Sequence, residues 1–246
     1  MRIYNNQKLI QRRAFIGKWG SLAGMGVLII GFVLSLQPQY VYLSFACLIG
    51  GFTLSQVGSY SAAIFSFQPR QHQRLEQFLK GLDERYVLFN YFFPAAHVLL
   101  GPHGLVVFRL KDQRGDIQYT GGRWKQRMTV GKVFAAFGSE GLRNPTRDAQ
   151  DEAQMMRRYL EKRAPELAES TPIEPVVVFS NPKVNLTVEG PELPVLRGKQ
   201  IKSFLRNPER RKGLRAEERK ALQAFLESQV GEGVQALEAG DAEGEA

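Results

Sequence analysis

The sequence predicts an α/β protein in which two N-terminal transmembrane helices precede a mixed-sheet domain. Three observations carry this reading. No Asp or Glu occurs from Met1 to Pro69, and no charged residue of either sign from Trp19 to Pro69. Beyond that gap, apolar residues recur at helical spacing in two places, with short β-rich runs between them. Val176-Val177-Val178-Phe179 then forms a run apolar on both faces, as expected of a buried strand.

The uncharged stretch is the first element. A bilayer core of ~30 Å needs ~20 apolar residues per helix, so the stretch holds two spans, near 20–36 and 40–60. Gln37-Pro38-Gln39 separates them, because proline and two amides end a helix sooner than they enter lipid. A cleaved signal peptide is excluded by the bulky Leu34-Ser35-Leu36-Gln37, where small residues are needed. Arg2, Lys8, Arg12, Arg13 and Lys18 flank one end of the hairpin, and Arg70, Arg74 and Lys80 the other. The connecting loop carries no basic residue, so a multi-pass membrane protein with both termini cytoplasmic is expected. Gly20/Gly24, Ala46/Gly50 and Gly51/Ser55 are small-xxx-small pairs that bring helices together, or reflect only how common Gly is in such helices. Without a charge in either span the hairpin is an anchor, not a channel.

Of the 33 basic and 24 acidic residues, five basic and no acidic ones precede Ser66, so most of the +9 net charge belongs to the membrane flank. The remainder is long enough for one domain with its own core. Cys47, the single cysteine, lies in the second span, which excludes a disulfide and a thiolate metal cluster. His72, His97 and His103 share no metal-ligand spacing. No metal and no cofactor is expected.

The cytoplasmic elements follow in order. Leu75, Phe78, Leu79 and Leu82 form an amphipathic helix, and Tyr86–Phe93 is β-rich. His97–Leu100 and Leu105–Lys111 are a hairpin about Gly101-Pro102-His103-Gly104. Asp116–Thr120 is a third strand, and Gly121-Gly122 turns the chain into Arg123–Met128. Asn144 before Pro145 caps a helix whose apolar face is Ala149, Ala153, Met156 and Leu160. Ile201, Phe204 and Leu205 mark a helix, as do Leu222, Phe225 and Leu226. The expected boundaries are a basic N-terminus over 1–18, the hairpin over 19–66 and the domain over 67–206. A basic helical segment over 207–230 and an acidic, disordered tail over 231–246 complete them.

Val98-Leu99-Leu100-Gly101-Pro102-His103-Gly104, then Leu105 to Lys111, Gly115-Asp116-Ile117, Trp124, Asn144-Pro145 and Val176-Val177-Val178-Phe179, resemble in order and spacing the nuclease-related domain (NERD). The resemblance spans roughly Arg74 to Leu205. It implies a restriction-endonuclease-like core, whose metal-dependent nucleases use an Asp and then Glu-x-Lys on the next strand. Such carboxylates hold divalent metal, which activates water and neutralises phosphate charge.

At those positions this chain has Ala96 for the Asp and Arg109 for the Glu; Lys111 is retained. His72 stands where the resemblance places a helical Glu, with Glu76 one turn later, and Asp148 stands for a Gln. Arg109 and Lys111 share a strand face ~6–7 Å apart, and two cations repel a metal. The expected function is thus a membrane-anchored, catalytically inactive nuclease-derived binding or scaffold module with a degenerate active site. The alternative is a metal-dependent nuclease rescued by Glu76, Asp112, Asp116 or Asp148. Besides the bilayer, a nucleic acid or phosphate-bearing ligand and a protein partner are the candidate partners.

Arg109, Lys111 and Trp124 are the candidate ligand-binding residues. Trp124 either stacks on a base or packs internally. Arg109 either meets phosphate or pairs with an acid such as Asp116. His103 is expected to be exposed. The run Arg206, Arg210, Arg211, Lys212, Arg215, Arg219 and Lys220 binds phosphate backbones, lies on the anionic leaflet, or solvates a helix.

Overall fold

A computed structural model describes residues 1–65, 71–126, 142–207 and 213–243, with backbone alone at 63 and from 232 onward. Met128, Arg210, Arg211, Lys212 and the last three tail residues, all part of the expectations above, lie outside them. The chain divides into two compact units, one holding Gln7–Gln71 and the other Met1–Asn6, His72–Arg127 and Leu142–Ala246.

The first unit is a helical hairpin. Helix α1 (Gln7–Ser35) and helix α2 (Val41–Phe65) are joined by a 3-10 turn at Pro38–Tyr40. Both are long and apolar enough to cross a membrane. α1 begins well before the uncharged stretch that starts at Trp19, because nothing in Gln7–Lys18 stops a helix. The helices run antiparallel, with Ser21 Oγ 3.3 Å from Ser59 Oγ. Backbones touch where glycine removes the side chain: a Cβ at Gly51 would lie 2.9 Å from Leu28 N, and one at Gly24 would collide with Ser55. Gly50 has no such neighbour, so of the small pairs in the second span it is Gly51/Ser55 that makes the seam. The large apolar side chains point outward, with Phe32 63% and Ile49 68% exposed.

The second unit is three-layered. Its six-stranded sheet runs β1-β2-β3-β4-β7-β9, formed by β1 (Arg2–Asn5), β2 (Val87–Asn90), β3 (His97–Gly101), β4 (Gly104–Lys111), β7 (Ile173–Phe179) and β9 (Val195–Arg197). β1 pairs parallel to β2, β2 to β4 form an antiparallel meander, and β4, β7 and β9 are parallel. Gly104 adopts φ +109 in the β3–β4 turn, where a side chain would also meet Pro172. A second sheet, ordered β6-β5-β8, comprises β5 (Gly115–Thr120), β6 (Arg123–Gln126) and β8 (Val184–Val188).

Strand alternation decides what each face meets. Val87, Phe89, Val98, Leu100, Leu105 and Val107 pack on one side against α4 (Pro145–Arg163) and α7 (Ala216–Glu243), with α5 (Pro165–Ser170) beside them. Leu88, Leu99, Val106, Phe108 and Leu110 pack on the other against α3 (Gln71–Leu79) and α6 (Ile201–Arg206).

Four expectations change. The N-terminal flank over 1–18 is more than a basic segment, because Arg2–Asn5 is an edge strand of the main sheet. The strand expected at Asp116–Thr120 forms, but in the second sheet, paired with β6 and β8. The acidic tail expected to be disordered continues α7 to Glu243, as its Ala, Leu and Glu favour helix. His103 is half-buried, with its Nδ1 shielded near Gly213.

Candidate functional site

Arg109 and Lys111 lie two apart on β4 and therefore face the same side, the one covered by α4. Asn144 starts α4 by accepting the Arg147 backbone N–H at 3.2 Å, with Pro145 at the first helical position. This cap sets the helix phase and places Asp148 and Glu152, one turn apart, above the strand. Arg109 Nη1 donates to Glu152 Oε1 at 2.7 Å, and its Nη2 lies 3.5 Å from Asp148 Oδ2. Lys111 is fully buried and its Nζ is 3.4 Å from the same Asp148 oxygen. Two cations of the strand thus meet two carboxylates of the helix.

Burial pushes the Glu152 carboxyl above its usual range, while Arg109 and the Ala96 backbone amide favour the charged form. Continuing the β3–β4 register, Val98 opposite Val107, sets Ala96 opposite Arg109. The two positions that depart from the nuclease motif are therefore neighbours.

A second network adjoins this one. His97, buried on β3, shares a 2.7 Å hydrogen bond between its Nδ1 and Asn90 Oδ1. Asn90 Nδ2 donates to Asn5 Oδ1 at 2.7 Å and to Glu76 Oε1 at 3.3 Å. With the Asn90 amide so oriented, the imidazole proton sits on Nδ1. Burial, with His72 and Arg109 nearby, pushes His97 down to about 3, so it is neutral. Glu76 also accepts from Asn5 Nδ2 at 2.9 Å. Tyr91 holds φ +65 and sets its ring edge-on to both His72 and His97.

The residues singled out in the sequence fall as follows. Trp124 sits against Tyr119 and Phe179 and donates to Thr146 Oγ1 at 3.3 Å, so it packs beside the first turn of α4. Asp116 does not meet Arg109, because it lies in the second sheet and accepts from Asn185 at 2.8 Å. Asp112 faces away from Lys111 and accepts from Arg74, Ser180 and Asn181. Asp148 does more than complement the helix dipole, since it touches both cations. Glu152 was not singled out, although its signal was present: it follows Asp148 by four residues and borders the apolar stripe. Among the described residues no three His, Cys, Asp or Glu side chains are grouped to hold a metal ion.

No curated protein and no solved structure matches the chain. The family model of the nuclease-related domain, NERD, matches residues 70–180, from just ahead of α3 to just past β7, and so takes in the Arg109 cluster and all of the second network except Asn5. Residues 70–180 are thus similar to a nuclease-related domain, and Arg109, Lys111, Asp148 and Glu152 lie within them.

Proposed function

We propose that this protein is a membrane-anchored nuclease-related module that binds or scaffolds without cleaving. One observation carries the reading: Arg109 bridges Asp148 and Glu152 beside Lys111. Each carboxylate that a divalent ion would use is already neutralised by a cation of the same chain, and adding a metal would gather like charges in a buried site. The restriction-endonuclease-like reading of the core rests on the antiparallel β2–β4 meander leading into parallel β7, with Lys111 on the central strand.

The anchor reading is supported by the outward-facing apolar surface of α1 and α2. The β1–β2 pairing supports placing both ends of the hairpin on one side, since residues before and after it share a sheet. The basic flanks make that side cytoplasmic. A nucleic acid, another phosphate-bearing ligand or a protein is the partner class.

A second reading has its own observation: two carboxylates, Asp148 and Glu152, do converge next to Lys111, as a rearranged metal nuclease requires. Full-length protein in neutral-lipid nanodiscs separates the two. Incubated with labelled DNA and RNA and Mg²⁺ or Mn²⁺, it should cleave no faster than Lys111→Ala. Metal-dependent cleavage abolished by Lys111→Ala would establish the nuclease instead.

A further inference from the structure

Away from the Arg109 cluster, three distant parts of the sequence meet in an open groove of about 670 Å³ lined by Arg2, Glu84, Arg85, Arg219, Lys220 and Gln223. Its volume falls within the ~300–1,000 Å³ of small-molecule sites. One wall is the start of edge strand β1, another the turn before β2, and the third the first turns of α7.

The charges are not balanced. Glu227 stands behind the groove and already accepts from Arg2 at 2.9 Å, Tyr4 at 3.2 Å and Gln223 at 3.0 Å. Asp83 is held by Arg85 at 2.6 Å. Arg219 reaches only the neutral Gln223, at 3.5 Å, and Lys220 has no ion-pair partner among the described residues. Glu84 is the one carboxylate on the lining itself. Arg2 and Arg85 thus reach the groove already paired with Glu227 and Asp83, whereas Arg219 and Lys220 line it with no carboxylate partner among the described residues, and Glu84 is the only acid on the lining. Planar guanidinium forks arriving from separate elements suit tetrahedral oxyanions, which accept from several directions at once.

We propose that this groove binds a soluble ligand bearing two or more phosphates.

Inorganic tripolyphosphate is the probe. Full-length protein in phosphatidylcholine nanodiscs at low salt, titrated by calorimetry, should show saturable binding that weakens steeply as salt rises. Lys220→Glu lies exposed on a helix and leaves the fold intact; it should weaken binding at least fivefold, and Arg219→Glu should do the same. Lys162→Glu, an equal charge change on α4, should leave binding unchanged. A parallel series in discs containing phosphatidylglycerol tests the source: a headgroup site would be filled from the membrane, and tripolyphosphate binding would vanish there. Absence of saturable binding in neutral discs, equal losses in Lys162→Glu and Lys220→Glu, or displacement by the anionic lipid would each overturn the proposal.

Discussion

Removing the Arg109 guanidinium tests the charge cluster directly. Arg109→Met keeps the stem that packs beneath α4 but strands Glu152, which is 8% exposed, without its cation. Breaking a buried pair costs ~3–5 kcal/mol, and the lower end applies because the Arg109 side chain is 22% exposed. About 3 kcal/mol is therefore expected at pH 8, or roughly 6–12 °C in Tm for a domain of this size. The cost depends on pH with a definite sign. Burial already raises the Glu152 pKa in the fold, so the folded state holds a proton that the unfolded chain releases near its ordinary value. Stability falls as pH rises through that interval, and losing Arg109 raises the folded pKa further. As pH falls through that interval the variant takes up a proton on Glu152, and the cost shrinks towards about 1 kcal/mol for the lost hydrogen bond. The assay is thermal unfolding in nanodiscs followed by Trp124 fluorescence, with Trp19→Phe in all samples so that one indole reports. Arg109→Met with Glu152→Gln should recover most of the loss at pH 8. An equal loss at pH 5 and pH 8, or no recovery in the double variant, would refute the buried-pair argument.

Three further outcomes follow from named contacts. With Cys47→Ser, paired cysteines at Ser21 and Ser59 should oxidise to a cross-link, and adding Gly24→Leu should suppress it by forcing α1 off α2; undiminished cross-linking would remove the seam. His97 is held below its ordinary pKa, so the unfolded chain binds its proton first and stability should drop as pH falls from about 6.5 towards 3; His97→Gln should flatten that slope in urea titrations. In a Cys47→Ser background, an impermeant maleimide applied to intact cells should label Pro38→Cys and not Gly240→Cys, and labelling at 240 would reverse the proposed topology.

What was legible in the sequence was whatever repeats or punctuates. The helical stripes of α3 and α4, the Asn144-Pro145 cap, the Gly101–Gly104 turn and the Val176–Phe179 run each carry a local signature, and each formed where expected, except that α3 stops at Leu79, short of Leu82. β1 did not, because Arg2-Ile3-Tyr4-Asn5 is four residues long and its pattern is completed only by β2, more than eighty residues away. The second sheet was hidden for a similar reason: Asp116–Thr120 reads as a strand, but only β8 determines which sheet holds it. At the site, the Arg109 and Lys111 alignment followed from strand alternation, whereas their partners came from a helix whose phase depends on the cap. Asp148 was visible as a candidate, but its partner Glu152 looked like one more surface acid on a charged helix.

The edge strand β1 also constrains how the molecule is made. Its four residues leave the ribosome ahead of the hairpin, yet β2 can receive them only after that hairpin has been synthesised. On the reading that α1 and α2 cross a bilayer, a chain that inserted only one of them would leave Arg2–Asn5 across the membrane from Val87–Asn90. The β2 edge would then stand open, a template for pairing with other chains. Asn5 would be missing from Asn90 and Glu76, and the sheet would lack its first strand. On that reading a chain with a single span inserted cannot close the sheet, so completion of the domain checks that the two spans went in as a pair.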